Sequence, residues 1–312
     1  MNSLGHTHVQ LTQLLDTRFW LSRQPDTGRR QPGSGTTGQH LARQHGQSTE
    51  FDQVRDYQPG DDSRHIDWRA TARAGAVQTR LFHRERDRPV FIVVEQSPAM
   101  FFASQGNFKS VQAALAASLF AWAATSAHDR VGGLVFNGKD SQLTTPMRNQ
   151  KGTLHLLHSI CQANRALVTP FAASSGNPLL QALKFCPNQL RPESLLILVC
   201  SENHLDADVT SLLGALAAQY QNIWLPISDP LEHQLPTSQH LALAGRQGRQ
   251  GRLQLRHQHQ LAHRWQQQAS QVRAHWQQLA IRQRAVLLPL TTANSLAQQL
   301  ASLQEGLRVA GA

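Results

Sequence analysis

Residues 89–100 read PVFIVVEQSPAM. Val90–Val94 is an unbroken apolar, β-branched run, the composition of a strand buried on both faces. Glu95-Gln96-Ser97-Pro98 ends it with polar and turn-forming residues. Phe108–Ala127 follows as an Ala-rich helix with Val111, Leu115, Leu119 and Trp122 on one face. Val131–Phe136 is a second buried strand, in which Gly132-Gly133 permits close packing. Helices are expected near 150–163 and 178–185. Leu195–Cys200 is a central strand, Ala207–Tyr220 a helix and Ile223–Ile227 the next strand. Residues 230–257 are rich in Gly and Gln and read as irregular. His259–Arg282 is a long helix with Leu261, Trp265, Val272, Trp276 and Leu279 on its inner face. Val286–Leu290 is a last strand and Ser295–Leu307 a last helix.

Strand and helix therefore alternate from residue 89 onward. That pattern predicts an α/β domain over 89–312, with a mostly parallel sheet, helices on both faces and right-handed crossovers. Ligands of such sheets bind outside the carboxyl ends of the strands.

The amino-terminal third differs. Leu11, Leu14, Leu15, Phe19 and Trp20 lie on helical spacing. The polar stretch GRRQPGSGTTGQHLARQHGQS behind them reads as a loop, so residues 1–50 are taken as a flexible segment. Residues 51–88 read as a small β/turn module around the Tyr57–Asp62 turn. Ile66, Trp68, Ala70 and Ala72 alternate with polar residues, fitting a half-buried strand or a short helix, with Trp68 as a core anchor. Asp61, Asp62, Arg64, Asp67, Arg69 and Arg73 are dense in complementary charge. They suit an internal ion-pair network or a docking surface of forked arginines.

Composition narrows the function. The chain has 312 residues, 40% hydrophobic and 16% charged, with a formal net charge of +10. No apolar run approaches the ~18–20 residues of a membrane-spanning helix, and MNSLGHTHVQ lacks a signal-peptide pattern. Cys161, Cys186 and Cys200 match no zinc or redox spacing and read as buried thiols. A cytoplasmic location is expected, with peripheral contact at the inner membrane left open. The arginine excess invites an acidic partner, but no basic run is dense enough for a nucleic-acid patch. No nucleophile elbow, phosphate loop or dinucleotide fingerprint occurs, so a non-enzymatic binding module is expected.

Several stretches together carry a family resemblance. These are RDYQPGDDSRHIDWRATARAG (55–75), FHRERDRPVFIVVEQSPAMFF (82–102), FKS (108–110), HDRVGGLVF (128–136), Val-Cys-Ser201-Glu202 and Pro226–Pro236. They closely resemble the bacterial domain of unknown function 58 family, a divergent von Willebrand factor A-like group linked to MoxR-type AAA+ ATPases. The resemblance implies an A-type fold and a role as an adaptor beside such an ATPase and other A-type domain proteins, in assembly or maturation of a complex. It also implies a metal-ion-dependent adhesion site, carried here by Glu95, Ser97, Asn177 and Glu202. This chain departs from that pattern. Glu95 and Glu202 stand for aspartates, Ala99 for a serine and Asn177 for a threonine. Magnesium needs six oxygens in a tight octahedron, so a vestigial site is expected, with weak magnesium binding the alternative and no other cofactor. Two carboxylates at the strand tips would call for a counter-ion, for which Lys109 is the candidate. A basic nucleic-acid or anionic-surface binder is the rival function.

Overall fold

The computed structural model describes residues 7–22, 50–58, 63–83, 88–168, 176–236, 240–244, 250–254 and 259–311. The chain divides into two compact units, one of residues 1–24 with 88–312 and one of residues 25–87.

Helices α1 (Leu11–Asp16) and α2 (Arg18–Ser22) belong to the larger unit. This corrects the reading of residues 1–50 as one flexible segment. Leu14 is fully buried. Its carbonyl accepts hydrogen bonds from Ser118 Oγ at 2.6 Å and Trp122 Nε1 at 3.1 Å. The helical spacing of the leucines is legible in the sequence; the helix they pack on is 100 residues away and is not.

In the smaller unit β1 (Glu50–Asp56) pairs antiparallel with β2 (Gln78–His83). Between them lies α3 (Trp68–Ala74). Of the two readings of this stretch the helix holds. The Asp67 carboxylate caps it, accepting from the amides of Arg69 at 3.0 Å and Ala70 at 3.1 Å. Gly75, at φ +71°, ends it in the left-handed conformation that glycine adopts without strain. Trp68 is 71% exposed, which overturns its reading as a core anchor. It stands at the first position of a short helix none of whose residues is buried. Arg64, Arg69 and Arg73 are exposed. Asp61 and Asp62 lie outside the described residues.

The larger unit is built on β3 (Pro89–Glu95), β4 (Arg130–Phe136), β5 (Ser141–Met147), β6 (Leu195–Ser201) and β7 (Gln221–Ser228). The helices α4 (Lys109–Ser126), α5 (Gln150–Ala166), α6 (Pro178–Phe185), α7 (Ala207–Gln219) and α8 (Pro230–His233) intervene. A hairpin of β8 (His240–Ala244) and β9 (Gln250–Gln254) follows, then α9 (His259–Gln283), β10 (Val286–Leu287), β11 (Leu290–Thr291) and α10 (Leu296–Ala310). The sheet runs β10-β7-β6-β3-β4-β5, with β11 also on β7. All its pairings are parallel except β4 with β5. The fold is thus α/β with a mostly parallel sheet and helices on both faces, as the alternation predicts. The hairpin corrects the reading of 230–257 as irregular. Its only cue is a short period-two pattern in which register pairs Leu241 with Leu253, faint against Gly and Gln. The expected strand Val286–Leu290 splits in two around Pro289, which has no N–H for the ladder.

The alternation along β3 divides the core. Val90, Ile92 and Val94 face one layer with α1, α4, α5 and α10, while Phe91 and Val93 face α6, α7 and α9. Each such side chain stabilises the fold by about 1.5–3 kcal/mol through burial. Helix α4 is buried on nearly its whole circumference, which explains why it is mostly apolar and rich in alanine. A Cβ on Gly133 would stand 2.2 Å from Ile92 O, so only glycine allows β3 and β4 to meet there. Among the described residues no helix is long and apolar enough to cross a membrane.

Candidate functional site

Counted from β3, the strand order is that of a doubly wound sheet, and its direction reverses between β3 and β6. Open α/β sheets receive their ligands in the crevice outside the carboxyl ends of the two strands at such a reversal. There lies an open cleft of about 420 Å³, lined among others by Ala99, Lys109, Asn177, Ser201, Asn203, His204 and Glu232.

Glu95 ends β3 and is fully buried. Its Oε1 accepts from Ser97 Oγ and stands 2.7 Å from His204 Nε2. Its Oε2 accepts from the Ser201 amide at 2.7 Å. Burial pushes the Glu95 carboxyl up, but the charge and hydrogen bond of His204, the Ser201 amide and the Ser97 hydroxyl outweigh it. They hold the group below the usual glutamate value. Lys109, in the first turn of α4, is 1% exposed. Its ammonium donates to Glu232 Oε1 at 2.7 Å and to Ser201 Oγ at 3.3 Å. Asn203 Nδ2 donates to the same Glu232 oxygen at 3.1 Å.

Below the cleft a second carboxylate ties three segments together. Asp229 Oδ2 accepts from the Ser104 amide at 2.7 Å and Thr292 Oγ1 at 2.5 Å. Oδ1 accepts from Ser104 Oγ at 2.5 Å and the Leu231 amide at 2.9 Å. Burial raises the Asp229 carboxyl, but Ser104, Thr292 and Leu231 together hold it below the ordinary aspartate value. Asp229 and Glu232 also form the capping box of α8.

The residues expected to share a metal are only partly brought together. Glu95 and Ser97 meet. Asn177 caps α6 through Oδ1, bonded to the Leu179 amide at 3.1 Å, and its Nδ2 donates to His204 O and to Asp206 Oδ2, both at 2.7 Å. Glu202 turns elsewhere. Its Oε2 is 3.1 Å from His233 Nε2, a contact that is not a hydrogen bond, and its Oε1 is 3.9 Å from Arg273 Nε. Lys109, expected as the counter-ion of Glu95 and Glu202, pairs instead with Glu232; the group beside Glu95 is the His204 imidazole. These donors do not fit a magnesium ion. Ala99 offers no side-chain oxygen, Asn177 and both Glu95 oxygens are engaged, and a buried ammonium lines the same cleft. Among the described residues no cluster of three His, Cys, Asp or Glu could hold a metal.

Sequence reasoning missed His204, Ser201, Asn203, Glu232 and Asp229 as site residues. Asp229-Pro-Leu-Glu232 carries a cue, since Asp-x-x-Glu with proline at the first helical position marks a capped helix start. His204 and Ser201 carry none, because their roles follow from the β3–β6 register. The three cysteines are free and buried, as expected.

Comparison with known proteins follows this geometry. An uncharacterized protein of Mycobacterium tuberculosis is 26% identical over 201 residues. The match covers 64% of this chain and 61% of that protein, so the chain spans under two thirds of its curated relative's length. The conserved hypothetical protein BatB from Bacteroides thetaiotaomicron is similar at 15% identity and a TM-score of 0.45, over 72% of this chain and 100% of that one. A von Willebrand factor type A protein from Catenulispora acidiphila is similar at 14% identity and a TM-score of 0.29, over 48% of this chain and 35% of that one. Residues 53–278 match the family described as protein of unknown function DUF58, and the chain belongs to that family.

Proposed function

We propose that this chain is a non-enzymatic protein-interaction module whose contact centre is the switch-point cleft. It would act in the cytoplasm as an adaptor for a MoxR-type AAA+ ATPase in assembly or maturation of a complex. The observation that carries the reading is Lys109. It sets a buried, ion-paired ammonium in the crevice where a doubly wound sheet receives its ligand. The cleft thus carries its own cation, and recognition there proceeds without a metal. Glu95, Lys109 and Glu232 are each bonded to other protein groups, which suits a rigid contact surface better than proton transfer. The ATPase itself comes from the family resemblance.

The test is binding of a purified MoxR-type ATPase from the same organism to the full chain, measured by titration calorimetry with ATP and magnesium, then without. Binding that is weakened by Asn203→Asp, at the cleft rim, supports the reading. Binding that Asn203→Asp leaves unchanged, or a chain held on DNA and heparin in a salt-dependent way but blind to the ATPase, overturns it in favour of an anionic-surface binder.

A further inference from the structure

A second surface lies at the β5 edge of the sheet and shares no lining residue with the cleft. Strand β5 is the edge of the sheet, and among the described residues nothing pairs with its outer side. Beside it runs a groove of about 680 Å³ lined mainly by Leu143, Thr145, Met147, Leu154, His155 and His158. Its lining is more apolar than polar, and Leu143 and Leu154 are each 39% exposed.

Edge strands offer unpaired backbone N–H and C=O groups, and soluble proteins usually guard them with charged side chains. Strand β5 reads SQLTTPM and contains none. Pro146 removes one donor; the rest of the strand is unguarded. The charge sits instead on the neighbouring helix. Lys151, Leu154, His155, His158, Gln162 and Arg165 are all exposed on α5, and their spacing of three, four and seven residues makes one stripe. No Asp or Glu occurs anywhere from Ser141 to Pro192. An apolar trough, an open strand edge and a helix with exposed cations and no carboxylate of its own thus adjoin.

We propose that this groove docks an extended segment of a partner protein that alternates apolar and acidic side chains. The segment adds a strand to β5, in the manner of strand addition at exposed edges. Its apolar side chains enter the trough beside Leu143 and Leu154, and its carboxylates face Lys151 and Arg165. Backbone pairing supplies affinity; the cationic stripe selects charge and direction of approach.

The test uses the full chain and a fluorescein-labelled peptide of alternating valine and glutamate, about eight residues long to match the seven-residue strand. Fluorescence anisotropy is read beside two control peptides, one with lysine for glutamate and one N-methylated at alternate backbone amides. The acidic peptide should bind at least about tenfold more tightly than either control. Leu143→Asp and the pair Lys151→Glu/Arg165→Glu should each weaken it about tenfold while melting stays unchanged, and amide exchange should slow over 141–147 on binding. Failure of the acidic peptide to bind overturns the proposal. So do equal binding of the lysine or N-methylated peptide, full affinity in Leu143→Asp, or protection confined to other segments. Anionic vesicles that bind through Lys151 and Arg165 while the peptide does not would assign the stripe to a membrane instead.

Discussion

The switch-point cleft and the groove along β5 both open to solvent, yet they hold their charges in opposite ways. In the cleft, Lys109 is matched by Glu232 and Glu95 by His204. Lys109 and Glu95 are almost wholly buried and bridge strands β3, β6 and the α8 turn. In the groove, the cations of α5 are exposed and face no carboxylate on their own helix or on β5. A buried, paired charge is bound up with folding, because removing one partner strands the other away from water. An exposed charge costs the fold little to keep or lose. The same residue type thus stabilises structure at one site and remains free for recognition at the other.

The largest effect expected from this contrast is at Asp229. Asp229→Ala leaves two hydroxyls and two amides without their acceptor in a fully buried position. Denaturant unfolding should show a loss of about 4 kcal/mol. A loss below about 1 kcal/mol would mean that water replaces the carboxylate and that the clamp is not structural. Lys109→Met comes next, at about 3 kcal/mol. Glu232 is partly exposed and can rehydrate, which moderates the cost. The same lysine bears on the metal question. Magnesium at millimolar concentration should leave the melting temperature of the unmodified chain unchanged, since a ligand stabilises only where it binds the folded state. A magnesium-dependent rise in the unmodified chain would show that Lys109 does not keep the ion out.

Much of this fold is legible in the sequence. Continuous apolar runs such as Val90–Val94 and Leu195–Cys200 identify strands buried on both faces because they are short, rich in β-branched residues and bounded by polar or turn-forming residues. The readings that fail concern residues whose role depends on distant partners. Trp68 is apolar but stands exposed on its short helix. Strand β5 escapes notice because SQLTTPM is short, polar and interrupted by proline. The cleft is legible in the sequence as a place, the tip of β3, but not the set of side chains that meet there. The resemblance directs attention to Glu202, whose side chain turns to His233 and Arg273. The bond between Glu95 and His204 depends on the β3–β6 register, which carries no local signature.

An intermediate effect is expected with pH. Glu95 and Asp229 are both held below the ordinary carboxylate range. Each therefore binds protons more weakly folded than unfolded. The stability they contribute is complete above the unfolded value of about 4 and is lost as pH falls through the lower folded values. Urea midpoints should change little on account of these groups between about pH 7 and 5, then fall steeply below about pH 4. Asp229→Asn should flatten that acid limb. An acid limb as steep in Asp229→Asn as in the unmodified chain would assign acid sensitivity elsewhere.

The smallest effect is expected in the groove, and its smallness is the point. Lys151 and Arg165 are exposed on α5, and the buried side of that helix, with Leu156, Leu157 and Ile160, carries its packing. Reversing both charges removes no buried contact. It adds acid to a helix that has none, favourably at Lys151 near the amino end and unfavourably at Arg165 near the carboxyl end, so the dipole contributions oppose one another. The net change in stability should lie within about 0.5 kcal/mol, measured by denaturant unfolding at low salt, where surface charge acts most strongly. A loss of about 2 kcal/mol or more would show that these cations are tied into the fold as Lys109 is. The contrast between the two surfaces would then collapse, and any loss of peptide binding in the double variant would report unfolding rather than a recognition site.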